Sequence, residues 1–249
     1  MGEDKHVLIS GGAGDLGTAI GVTLAASGHA VTLADRRAVG DATAALSTVA
    51  GARYRQVDVC SRAEIDAMVD DLPEIHAVVG GHGIVRSSPF NEITADDWQA
   101  QVNVNLTGAF HLGQAVTRRW CRDGRPGSIV FIGSWVGEVP WPEIAAYSVS
   151  KAGLQMLARC MARELASSGI RVNVIAPGIV DAGMARHQAR TEPQYAARIE
   201  GIVPLGRLQT PEEVAAATAF LLSPAAAYIT GSTLLADGGT SLFNFAGDL

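Results

Sequence analysis

Val7-Leu8-Ile9-Ser10-Gly11-Gly12-Ala13-Gly14-Asp15-Leu16-Gly17 is the stretch from which the rest of the chain can be read. A short apolar, β-rich run stops in glycines, and helical periodicity begins near residue 16. Glycines at such a junction allow a tight turn and close backbone approach, so the next helix can offer its N-terminal N–H groups to a pyrophosphate. Gly12-Ala13-Gly14-Asp15-Leu16-Gly17 fits G-x-G-x-x-G in the required setting, strand before and helix after. Asp35 closes the next apolar run, Val31-Thr32-Leu33-Ala34-Asp35, eighteen positions beyond Gly17. A carboxylate there accepts both hydroxyls of an adenosine ribose and repels a 2′-phosphate, which predicts NAD rather than NADP. Arg36 and Arg37 follow at once and read as solvated charges at a strand exit.

Outward from this stretch, short runs that are apolar throughout alternate with helical patterns. The runs cover 7–10, 30–35, 54–59, 77–80, 128–133, 171–176 and 232–236, as expected of parallel strands covered on both faces. Helical patterns lie near 16–27, 41–49, 62–71, 95–121, 145–168 and 211–222. The alternation predicts an α/β fold: one doubly wound, Rossmann-like parallel sheet of about seven strands with helices on both faces. No repeat, linker or low-complexity boundary interrupts it, so 1–249 is read as one dinucleotide-binding and catalytic domain. The mixed-polarity segment 183–202 is expected to form a substrate lid.

A length of 249 residues, 48% of them hydrophobic, suits one large core. A formal charge of −6 without a basic tract argues against nucleic acid or an anionic membrane as partner. Cys60, Cys121 and Cys160 are widely spaced and odd in number, and are expected to be buried free thiols. The six histidines lack ligand spacing, so no metal is expected. Met1-Gly2-Glu3-Asp4-Lys5-His6 is too acidic and too brief for a signal peptide, and no apolar run reaches membrane-spanning length. A cytoplasmic protein is the expectation.

The chain has only two lysines, and Lys151 follows Tyr147 by four positions. On a helix this spacing puts both on one face. A compact ammonium beside a phenol favours phenolate and is expected to pull its pKa down from about 10 towards neutrality.

These features together resemble the short-chain dehydrogenase/reductase family, nearly from end to end. The family's T-G-x-x-x-G-x-G falls on Ser10, Gly11, Asp15 and Gly17, and its Y-x-x-x-K on Tyr147 and Lys151. Its catalytic serine falls on Ser134 in Ile132-Gly133-Ser134, and its asparagine on Asn105 in Asn105-Leu106-Thr107-Gly108; Asn103 lacks the following glycine. The resemblance implies Tyr147 as general base or acid, Ser134 as hydrogen-bond partner of the substrate oxygen, Lys151 also on the nicotinamide ribose, and Asn105 holding a relay water. It implies dinucleotide contacts at Gly11, Gly14, Asp15, Leu16, Gly17 and Asp35, and at Asp58 and Val59 beside the adenine. Further contacts are implied at Gly80, Gly81, His82, Gly83, Tyr147, Lys151, Pro177, Gly178 and Val180. Asp237-Gly238-Gly239 near the end is a further match.

Three departures stand out. Asp15 replaces the middle glycine, where it could cap its own helix but opposes a pyrophosphate. Gly80-Gly81-His82-Gly83 replaces N-N-A-G, with His82 read as packed and satisfied by a backbone carbonyl. Ala182 stands where the family often has threonine. Candidate substrate residues are Ser134, Val136, Trp141, Met184 and His187; Arg186 and Arg190 are four apart, as on a solvated helix face. Leu154, Leu157, Ala158, Met161 and Leu165 form a stripe read as core packing, although relatives commonly pair this helix in homodimers and homotetramers. The function expected is NAD-dependent hydride transfer from a secondary alcohol, whether polyol, sugar, hydroxy acid or ring alcohol. Ketone or 3-oxoacyl reduction with NAD(P)H is the alternative, and a non-catalytic dinucleotide sensor the other.

Overall fold

The structure is a computed structural model that describes residues 5–199 and 201–242, the side chain of Met184 excepted. Seven strands form one sheet: β1 (His6–Ser10), β2 (Ala30–Asp35), β3 (Arg53–Gln56), β4 (Ala77–Gly80), β5 (Gly127–Ile132), β6 (Ile170–Pro177) and β7 (Thr233–Ala236). All pairs are parallel, in the order β3-β2-β1-β4-β5-β6-β7.

Two cores account for the lack of polar alternation. Successive side chains point to opposite faces of a strand. Val7 and Ile9 therefore join one core while Leu8 joins the other, and Val130 with Ile132 separates in the same way from Ile129 with Phe131. The first core packs under α1 (Asp15–Ala26), α2 (Thr43–Thr48) and α9 (Pro211–Leu222), through Ile20, Leu24, Ala45 and Leu221. The second packs under α3 (Arg62–Asp71), α5 (Gly108–Arg122) and α6 (Ala145–Leu165), through Ile65, Leu112, Trp120 and Leu154. The order of strands reverses between β1 and β4, which opens a crevice at their carboxyl ends.

Some local expectations change. The 54–59 run leaves the sheet after Gln56, because Asp58 turns the chain by accepting from Cys60 N at 2.9 Å and Ser61 then caps α3. The helical pattern 95–121 is α4 (Ala95–Val102), a π-helical turn (Asn103–Thr107) and α5. The segment after β6 holds two helices, α7 (Gly183–Thr191) and α8 (Pro193–Ile199). The three cysteines are free as expected but exposed, since each sits on a turn or an outward helix face.

Candidate active site

The glycine-rich turn is shaped by contact as much as by freedom. A Cβ on Gly17 would lie 2.3 Å from the Gly11 carbonyl oxygen, and one on Gly11 (φ +67) would lie 2.7 Å from the Gly81 backbone. These glycines bring the start of α1 directly over the crevice. The N-cap of α1, Gly14, supplies no side-chain cap. The first-turn N–H groups, which have no intrahelical partners, are thus left for an external acceptor. At the end of β2, Asp35 holds the loop by accepting from Ala13 N and Arg37 N, each at 3.2 Å. Arg37 also donates through its guanidinium to the Ala13 carbonyl.

From this turn a cleft of about 580 Å³ runs past Asp58, Val59, Gly81, His82 and Gly83 to Ser134, Tyr147 and Lys151. Tyr147 and Lys151 share one face of α6, as the spacing predicts. Lys151 is 3% exposed; its Nζ lies 5.5 Å from the centre of the Tyr147 ring and donates to the Ile132 carbonyl at 2.7 Å. Burial lowers the Lys151 pKa to about 8. Burial also dominates at Tyr147, pushing the phenol up to about 12 against the opposing hydrogen bond with Ser134, with Tyr195 raising it further. The acidified phenol expected from the spacing is not found: the Lys151 ammonium donates to the Ile132 carbonyl, and burial sets the phenol high.

Beyond Ser134 the walls are apolar. Trp135 and Trp141 meet edge to face, 5.3 Å between centroids and 68° between planes, and pack with Val136 and Ile179. Glu143 is the non-glycine residue of positive φ (68°) among the described residues. Its carboxylate accepts from Arg198 of α8 at 2.7 Å, which holds the Glu143 pKa below the usual carboxylate range. Gln188 of α7 donates to Ser87 Oγ at 2.6 Å, so 183–199 crosses the cleft at more than one point.

The family profile described as enoyl-(acyl carrier protein) reductase matches residues 11–241. The chain is 34% identical to 3beta-hydroxysteroid dehydrogenase 1 of Eggerthella lenta, covering 96% of this chain and 94% of that one. It is 37% identical to 3-oxoacyl-[acyl-carrier-protein] reductase FabG of Escherichia coli K12, over 95% and 97%. An Agrobacterium tumefaciens protein crystallised with bound NADP superposes with a TM-score of 0.88 at 30% identity, over 97% and 98%. The chain belongs to the short-chain dehydrogenase/reductase family. It is an oxidoreductase acting on CH–OH or ketone groups of a small molecule, with a nicotinamide dinucleotide as cofactor.

In this member of the short-chain dehydrogenase/reductase family most of the expected site residues line the same cleft, Pro177, Gly178 and Val180 among them. Others stand elsewhere. Gly80 makes room for Phe131, whose ring would lie 2.4 Å from a Cβ there. Asn105 is buried, with both amide hydrogens donated, to the Ile84 carbonyl and Ser150 Oγ, while its oxygen accepts from Ile84 N at 2.8 Å. It pins the segment after Gly83 to the π-turn. His187 is exposed on α7, because Ala185, Gln188 and, just past the helix, Glu192 take the cleft side. Met184 lies on α7 with its side chain outside the description. His82 bonds Ser10 Oγ through Nδ1 at 2.7 Å rather than a backbone carbonyl, and its Nε2 has no hydrogen-bond partner. Ile144, Tyr195 and Arg198 also line the cleft and were not singled out from sequence; an aromatic in the expected lid was the available signal for Tyr195.

Among the described residues no helix is long and apolar enough to cross a membrane, and no group of His, Cys, Asp or Glu is placed to hold a metal ion.

Proposed function

We propose that the chain is an NAD-dependent dehydrogenase of secondary alcohols, with Tyr147 as general acid/base. The observation that carries this reading is the convergence of Ser134, Tyr147 and Lys151 on one Trp-walled cleft, with Lys151 on the same helix face as Tyr147 and an uncapped α1 at the other end. The open N–H groups of α1 suit a diphosphate, and the free lone pairs of Asp35 suit ribose hydroxyls. The bound dinucleotide would accept or supply the hydride. Ser134 would hold the substrate oxygen, and Tyr147 would exchange its proton. Lys151 and the cationic cofactor ring together would lower the phenol from about 12 towards working pH.

Flat apolar walls support a ring alcohol among the candidate substrates, since Glu143 and Arg198 neutralise each other at the rim. The steroid dehydrogenase relative is consistent with that choice. Ketone or 3-oxoacyl reduction with NADPH is the second reading. It is favoured by a phenol that burial keeps protonated, by the FabG relative and by the NADP-bound neighbour. Within the same proposal 1–249 is one domain with a lid at 183–202, working in the cytoplasm. Val149, Met156 and Phe110, exposed on α5 and α6, would be covered in a homodimer or homotetramer.

Tyr147→Phe tests the assignment. Turnover with a panel of cyclic alcohols should fall by at least about 10²-fold, the scale of lost acid–base catalysis. NADH affinity by fluorescence titration should stay within about twofold, since a lost hydroxyl contributes little to binding there. Undiminished turnover would remove Tyr147 from the role.

A further inference from the structure

Two of the departures from the family pattern meet in space. Asp15 opens α1, one residue from N–H groups suited to a diphosphate, where a carboxylate is electrostatically unfavourable. Its side chain does not cap its own helix. Instead Asp15 Oδ2 accepts from Gly183 N at 2.8 Å, across 168 positions of sequence. Gly183 is the first residue of α7, and the N-cap of that helix is Ala182, which has no side-chain acceptor. One turn along, Arg186 places Nη1 3.9 Å from the same Asp15 oxygen and Nε 2.9 Å from Asp181 Oδ1. Asp15 and Gly183 both line the cleft.

We propose that Asp15 is the N-terminal cap of the lid helix, supplied from the glycine-rich loop. With Arg186 it forms a strap that must open before the dinucleotide can leave. The physical logic is one of substitution. A threonine at 182 would carry an acceptor for the second or third N–H of α7; alanine cannot, and the first-turn N–H of Gly183 takes a carboxylate from the glycine-rich loop instead. The positive end of α7 and the Arg186 guanidinium in turn offset the negative charge of Asp15 beside a diphosphate. Lid anchoring and cofactor retention are thereby joined in one contact. Asp15 and Arg186 are positioning residues, and the retention half of the inference rests on the dinucleotide reading given above.

The test uses the full chain. Hydrogen–deuterium exchange of amides 183–188 is followed without ligand, and NADH release is followed by stopped-flow fluorescence. Asp15→Gly should raise exchange in that segment and speed NADH release by about fivefold, the factor carried by one lost capping acceptor. Asp15→Asn keeps an acceptor for Gly183 and should protect the segment better than Asp15→Gly. Adding Ala182→Ser to Asp15→Gly should restore protection by rebuilding a local cap. Arg186→Gln, an exposed change, should speed release in the same direction. Slower or unchanged release in Asp15→Gly, with unaltered exchange, would reduce Asp15 to a repelling charge and overturn the strap. Absence of NADH binding by the native chain would instead strike the dinucleotide reading, while the ligand-free exchange still decides whether Asp15 caps the lid.

Discussion

Tyr147 and Lys151 show how far one pair of residues can be understood from spacing alone. Their shared helix face follows from 3.6-residue periodicity, but the acidity of the phenol depends on which atoms the ammonium meets. Lys151 donates to Ile132 O, and burial dominates both groups. Asp35 lines the cleft, and both its carboxylate oxygens brace the glycine-rich loop. Asp35→Ala is expected to narrow the NAD-over-NADP preference by about 1–3 kcal/mol, the worth of charge-assisted hydrogen bonds; the ratio of kcat/KM for the two cofactors measures it, and an unchanged ratio would dismiss Asp35 as ribose ligand. Two buried histidines contribute to acid sensitivity. Burial lowers His6 to about 4 and His82 to about 3, from 6.5. Between those values and 6.5 the unfolded chain binds more protons than the folded one. Stability is therefore full above 6.5 and declines as pH falls through the window, by up to about 1.4 kcal/mol per pH unit for each histidine. Melting curves from pH 7.5 to 4 should show a shallower fall for His82→Gln than for the native chain, and parallel curves would contradict that origin.

At the scale of elements, the helix stripes were legible because burial repeats with the helix period. Leu154 and Ala158 of α6 are buried, and Leu157, Met161 and Leu165 pack against the same core. The fit of α5 on α6 is set by approach instead: a Cβ on Gly113, within α5, would meet Met161 Cε at 2.7 Å, so the two helices lie close. What periodicity could not show is the π-turn at Asn103–Thr107, since one inserted residue leaves the apolar stripe almost unchanged. The start of α9 is a local device. Thr210 Oγ1 accepts from Glu213 N while the Glu213 carboxylate accepts from Thr210 N at 2.9 Å, with Arg207 bound to the same carboxylate. Thr210→Ala should cost about 1 kcal/mol and lower Tm by about 2–4 °C in a chain of this size. Calorimetry showing no loss would mean the cap is redundant with the packing of α9 on α1.

For the whole molecule, the sheet places the glycine-rich loop, Asp35 and the Ser134–Tyr147 pair at the carboxyl ends of neighbouring strands, along one crevice. A ligand there touches both halves of the sheet and binds only the folded chain. NAD at 100 times its Kd should therefore stabilise the fold by about 2.7 kcal/mol, raising Tm by about 5–10 °C. NADP at the same concentration should raise it less, and an equal shift for both would favour the NADPH reading.

The sequence by itself determined the alternation of strand and helix, the doubly wound class, the glycine-rich turn and the shared helix face of Tyr147 and Lys151, because these rest on local periodicity and short-range spacing; Ser134 came forward only through the family resemblance. Only the tertiary structure decided that Asp15 serves a helix 168 residues away, that Asn105 braces Ile84, that His187 faces outward, and that burial holds the Tyr147 phenol high. Those outcomes depend on which groups lose water and which distant atoms arrive within hydrogen-bond reach, and neither is written in the order of residues along a chain.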